Sequence, residues 1–225
     1  MPNHNSQPCT KLGVTYTEIR YDPRRMSYSN YANTSVPMEN IVKALANGLK
    51  NGSLTHGIEM YSLLVAMRGQ PAENCLEIAN LAKKTKSKSK KADLGSVVGI
   101  DLAGDESKFN NSLYINCFRY AKEKLGLNTT VHSGELGASE QRLENVKIAI
   151  EIMKVDRIGH GYAAAKDEEV MKMIREKNIH LEVCPGTALA EGSEDAITVF
   201  AKHNLSFGLN EDDPAQYFGG CDFGW

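Results

Sequence analysis

No stretch of this 225-residue chain approaches the run of about 18 apolar residues that a membrane-spanning helix needs, so no membrane partner is expected. Neither sign of charge prevails. Lys plus Arg number 26 against 28 Asp plus Glu, a formal net charge of −2, and no global field draws the chain to nucleic acid or anionic lipid. The opening MPNHNSQPCTK has no apolar core, so no secretory signal is expected there. Cysteine is sparse and never spaced Cys-x-x-Cys. The five (Cys9, Cys75, Cys117, Cys184, Cys221) are odd in number and widely separated, which predicts reduced thiols and a cytoplasmic protein. There is no P-loop and no Gly-x-Gly-x-x-Gly, so nucleoside-triphosphate and dinucleotide readings lack support.

What the chain does contain is an alternation of strand-like and helix-like runs. Period-2 or continuous β-branched patterns predict strands over 13–20, 57–65, 97–102, 129–132, 157–160, 180–184 and 205–209. Between them, apolar residues recur at helical spacing. Ser35 and Pro37 are expected to open a helix that Gly52 ends, and Pro71 another. Further helices are expected over 111–124, from a Ser139 cap onward, over 167–177 and over 194–203. Residues 21–35 read as a polar loop. Lys83–Lys91, KKTKSKSKK, reads as a solvated linker, with a nuclear-localisation or nucleic-acid patch as the other reading. Strands alternating with helices predict βαβ units and a parallel sheet. The fold class is therefore α/β, a (β/α)8 barrel of the TIM type, incomplete because seven strands are recognisable where eight close the barrel. Residues 1–12 are unpatterned, and 13–225 are expected to form one barrel domain.

Three of these runs stop on reactive side chains. TTVHSGE carries His132 and Glu135, RIGHG carries His160, and LSFGLNEDDP carries Asp212 and Asp213. In a parallel barrel the strand C-termini converge on one mouth, where such enzymes keep their active sites. Imidazole and carboxylate are ordinary zinc ligands, which makes His132 and Asp212 a candidate metal pair. Glu135 reads either as a general acid or base or as a charge at a helix N-terminus. His160 reads as a ligand, as a base, or as a hydrogen-bonded core histidine. Gly104, in DLAGD, reads as a close-approach point for ligand or as a turn glycine. His4, His56, His180 and His203 lack such company and are taken as structural or exposed. The His-x-Glu with Cys-x-x-Cys of cytidine-type zinc deaminases is absent.

Taken in order, VVGIDLAGDES, TVHSGE, RIGHGY, LEVCP and LNEDDP resemble adenosine deaminase, of the metal-dependent amidohydrolase superfamily, from Gly13 to about Pro214. The DLAGD form is similar to the adenosine branch rather than the adenine or AMP-derivative branches. The resemblance implies hydrolytic deamination of adenosine or deoxyadenosine, a small purine nucleoside, with one Zn2+ held by His132 and Asp212. It implies Glu135 as proton donor to the purine ring, His160 as the group that activates and orients the attacking hydroxide, and Asp213 and Gly104 as purine contacts.

Two departures accompany it. The family's first strand carries a His-x-His pair, and none occurs here; the CPGTA loop also differs from the family's usual residues. The expectation is a chain truncated at both ends, lacking that strand and the final helices. The alternative is a catalytically inactive fragment or splice form, at most a binding protein.

Overall fold

The computed structural model describes residues 13–29, 34–88 and 92–213. Its strands are β1 (Tyr16–Tyr21), β2 (Tyr28–Ser29), β3 (Thr34–Ser35), β4 (Glu59–Met67), β5 (Val97–Ala103), β6 (Asn128–Ser133), β7 (Arg157–His160), β8 (His180–Val183) and β9 (Phe207–Leu209). Seven form one sheet in the order β1-β4-β5-β6-β7-β8-β9, every neighbour parallel. β2 and β3 form a separate antiparallel ribbon. The expected parallel α/β architecture is present, as an incomplete barrel.

Period-2 patterning explains which face is which. Ile100, Leu102, Val131, Ile158, Leu181 and Val183 join the apolar core under the helices. Their alternates are polar and turn inward: Asp101, Thr130, His132, Arg157 and Glu182, with Glu18 and Arg20 from β1. These inward groups pair with one another. Arg20 Nη2 lies 2.6 Å from Glu182 on β8, and Arg20 Nη1 lies 3.4 Å from Asp101 on β5. Arg157 on β7 reaches Glu18 at 2.5 Å and Glu182 at 3.1 Å. In a flat sheet β1 and β8, five strands apart, would stand about 24 Å from each other. Direct ion pairs between them require the sheet to be curled on itself.

The helices are α1 (Pro23–Met26), α2 (Met38–His56), α3 (Ala72–Thr85), α4 (Ile115–Arg119), α5 (Ser139–Ile148), α6 (Glu168–Glu176), α7 (Pro185–Ala190) and α8 (Asp195–Lys202). Several ends differ from expectation. α2 runs through Gly52 and stops at Gly57, whose φ of +69° turns the chain out of the helix. One mid-helix glycine costs only about 1 kcal/mol, and Gly52 sits in contact with Met60. Pro37, not Ser35, holds the cap position of α2, because Ser35 is paired with Tyr28 in the ribbon. Ser139 is the first helical residue of α5 and Ala138 its cap, with no side-chain cap bond. The expected 111–124 helix is a 3-10 turn, then α4, then a π turn over Tyr120–Lys124. The 21–35 loop contains α1, capped by the Asp22 carboxylate, and the ribbon. The CPGTA segment opens α7, with proline in its first turn. Lys83 and Lys84 belong to α3 rather than to a linker. Residues 1–12, 30–33, 89–91 and the tail from 214 lie outside the described residues.

The cysteine expectation is corrected as well. Cys75 on α3 and Cys117 on α4 form a disulfide, both nearly fully buried. They stand 42 residues apart, so no short motif announces them; adjacent helices bring them together. Cys184 is a free, buried thiol. No helix among the described residues is long and apolar enough to cross a membrane.

Candidate active site

His132 is the penultimate residue of β6, and His160 closes β7. Asp212 follows β9 by three residues. Their candidate ligand atoms all lie within 4.8 Å of one another, and the two imidazole rings stand 5.1 Å apart, edge to face. Glu135 Oε2 is 3.5 Å from His160 Nε2, and Asp212 Oδ2 is 3.8 Å from it. Four of the six residues singled out from sequence thus meet at the C-terminal ends of the strands. Two stand apart from the cluster. Gly104, with φ +101°, lies just beyond β5 against Met67 and Arg68. Asp213 is exposed beside Asp212.

The loop that carries Glu135 is held by a residue the motif reading passed over. The buried Glu106 carboxylate accepts the backbone N–H groups of Gly134 at 3.0 Å, Glu135 at 2.5 Å and Leu136 at 2.8 Å. Asn145 Nδ2 donates to it as well, at 3.1 Å. Gly134 makes the turn possible. Its φ is +81°, and a Cβ there would lie 2.7 Å from Val146 Cγ2, so only glycine fits. Arg68, at the end of β4, draws the strand ends together. It donates to Leu102 O, Gly104 O, Asn111 Oδ1 and His132 O. Sequence inspection had one usable signal for Glu106: an acid directly after DLAGD, where the chain turns back into the core.

Each ring and carboxylate is further oriented. Asp101 Oδ1 lies 3.1 Å from His132 Nδ1. Burial alone would raise the Asp101 carboxyl, but the charges of His132 and Arg20 outweigh it and hold it down at about 2. A carboxylate can only accept, so Nδ1 of His132 carries a proton, and Nε2 faces the cluster. Thr187 donates to Asp212 Oδ2 at 2.8 Å. His160 is lowered well below the ordinary histidine range, first by burial and then by the neighbouring charge of His132. Its φ of +65° is unusual for a residue with a Cβ. Such a conformation costs about 1–3 kcal/mol and is typical of functional positions. Glu135 is raised to about 7, chiefly by burial and next by the charge of Asp212. A buried carboxyl shifted up beside a buried imidazole shifted down is equipped for proton transfer. His132 and Asp212 supply an imidazole and a carboxylate, donors of the kind zinc takes, and His160 stands within 4.8 Å of both.

A family model described as adenosine deaminase matches residues 4–221. The chain belongs to the adenosine deaminase family. Mouse adenosine deaminase is 34% identical over 219 residues, covering 91% of this chain and 58% of the relative. The adenosine deaminase of Clostridium kluyveri is 32% identical over 202 residues, covering 90% of this chain and 52% of that protein. The chain therefore spans between half and three-fifths of these family members' lengths. Among solved structures, an amidohydrolase from Burkholderia ambifaria with bound zinc superposes with a TM-score of 0.78 at 19% identity, over 96% of this chain and 57% of that one. The adenine deaminase of Arthrobacter aurescens superposes at 0.72 with 25% identity, over 94% and 61%. Both share this chain's fold.

Proposed function

We propose that the protein represented by this chain is a zinc-dependent hydrolase that deaminates adenosine or deoxyadenosine, giving the inosine product and ammonia, in purine metabolism. The observation that carries this reading is the convergence of His132, His160, Asp212 and Glu135 at the barrel mouth. Its relatives are adenosine deaminases from animals and bacteria.

In this reading His132, through Nε2, and Asp212 hold one zinc ion, as the donor set and the zinc-bearing Burkholderia neighbour suggest. Zinc supplies a Lewis acid and a nucleophilic water near neutral pH. Asp101 fixes the His132 ring, and Thr187 fixes one Asp212 oxygen. Water adds to the purine carbon that bears the amino group, and His160 takes its proton at Nε2. Glu135, protonated, donates to the adjacent ring nitrogen, which offsets the charge that develops as aromaticity is lost. The amino group takes the proton held on His160 and departs as ammonia, while the added hydroxyl returns a proton to Glu135 and becomes the carbonyl of the product. Asp213 and the Gly104 backbone are assigned to purine contacts. The described residues between 13 and 213 are assigned to one barrel domain, and the expected extension to 225 lies outside the described residues. No compartment is assigned, since the cytoplasmic expectation rested on unpaired thiols and disulfides are rare in that compartment.

The test is to supply the purified protein with zinc and follow the ultraviolet change of adenosine to inosine. Turnover that Glu135→Gln abolishes while substrate binding persists supports the assignment. Binding without turnover in the unsubstituted protein favours the inactive form instead.

A further inference from the structure

The His160 ring has two nitrogens, and one of them faces away from the cluster. Its Nδ1 lies 3.2 Å from the phenolic oxygen of Tyr162. That oxygen is also 2.8 Å from Cys184 O and 3.2 Å from Cys184 N. All three residues are buried. A phenol has a single proton to donate, and a carbonyl oxygen has none. The shortest contact, to Cys184 O, therefore takes the phenol proton. The Cys184 N–H donates to the same oxygen. With its proton committed, the phenol can act toward His160 only as an acceptor, so His160 Nδ1 must be the donor. Nε2 is left with its lone pair, turned toward Glu135 and Asp212.

We infer that Tyr162 is a positioning residue: braced on the Cys184 backbone, it sets the neutral His160 ring in the Nδ1–H tautomer and presents Nε2 as a proton acceptor to the site. The backbone supports the same geometry. His160 and Gly161 both adopt positive φ, +65° and +75°, and Gly161 N–H donates to Ser133 O while Ala163 N–H donates to Gly134 O. The two turns bring Tyr162 back beneath the ring two residues before it. Among the described residues the phenol is the hydrogen-bond partner at Nδ1, and in its place an Nε2–H would point at two carboxylates that accept it.

This inference rests on His160 acting as the proton acceptor of the proposed reaction, but its test needs neither metal nor substrate. The metal-free chain is labelled with 15N-histidine, and nitrogen–proton correlation spectra are recorded at pH 8, where ordinary histidines are neutral. His160→Gln identifies the His160 signals by their loss. The expected result is a pyrrole-type Nδ1 and a pyridine-type Nε2 in the unsubstituted chain, with the two types exchanged in Tyr162→Phe. A pyridine-type Nδ1 in the unsubstituted chain overturns the inference, and so does an unchanged pattern in Tyr162→Phe. If Tyr162→Phe does not fold, the unsubstituted spectrum alone decides. Failure to turn over adenosine would count against the proposed function and leave this readout standing.

Discussion

The Glu106 carboxylate takes the backbone N–H of Glu135 at 2.5 Å, from a loop 29 residues earlier in the chain. One acid thus positions another. Because Glu106 also takes the amides on either side, the whole turn between β6 and α5 is fixed to the end of β5.

Glu106→Ala leaves these donors, in a buried turn, without their acceptor. An unsatisfied buried donor costs about 1–3 kcal/mol, so a loss of at least ~2 kcal/mol in urea unfolding is expected from this single change. Glu106→Gln keeps one acceptor oxygen and is expected to lose less. Equal stability of all three proteins would refute the clamp.

Arg20 holds two inward carboxylates, Asp101 and Glu182, across the curled sheet. Arg20→Met removes the charge but keeps much of the side-chain length. Stranding a buried partner costs about 3–5 kcal/mol; Asp101 keeps His132 and Glu182 keeps Arg157, so a loss of about 1–3 kcal/mol is expected in the midpoint of chemical denaturation. A change below ~1 kcal/mol would show that the pairs are screened as on an open surface.

The raised Glu135 carboxyl makes stability depend on pH. Its folded value is about 7 against an ordinary 4.5. Between those values the folded chain binds more protons than the unfolded chain, so stability falls as pH rises. The contribution is fully present below about pH 4.5 and gone above about pH 7, on the order of 3 kcal/mol in total. Urea unfolding of the metal-free chain at pH 4.5 and 8 measures it. Glu135→Gln, which cannot ionise, is expected to flatten this part of the profile; an identical slope in the variant would remove Glu135 as its source.

Cys75–Cys117 closes a 42-residue separation between α3 and α4. Cross-links of this span contribute about 2–4 kcal/mol by restricting the unfolded chain. Cys75→Ser with Cys117→Ser is expected to lower the unfolding midpoint accordingly. Peptide mapping under non-reducing conditions checks the pairing directly, and two free thiols at these positions would contradict it.

Zinc content separates ligands from their neighbours. His132→Ala and Asp212→Ala are expected to lower the zinc bound per chain, measured by elemental analysis after dialysis. Thr187→Val, which removes only the hydroxyl that donates to Asp212, is expected to weaken binding by about 10- to 100-fold, the usual cost of losing such a partner. Unchanged zinc content in His132→Ala would remove it from the centre.

The repeating strand–helix order, the parallel sheet and the residues at the strand ends were all legible in the amino-acid sequence. The reason is local: side chains alternate across a strand and recur along a helix, so composition by position reveals each buried face. His132 and His160 were legible because both stand at the end of such a run. Some details were not. Gly52 looks like a stop because its intrinsic cost is visible, whereas its contact with Met60 is not.

Which inward residue meets which is settled by the folded chain. Arg157 and Glu18 are 139 residues apart, and their pairing follows from strand order and the curl of the sheet. Nothing near either residue encodes that curl. Glu106 beneath the Glu135 loop, Thr187 on Asp212 and Cys75 against Cys117 are likewise products of register and helix packing. The phenol of Tyr162 lies two residues from His160 in the chain. It acquires its orientation only because β8 delivers the Cys184 backbone to both of its hydrogen-bonding sides.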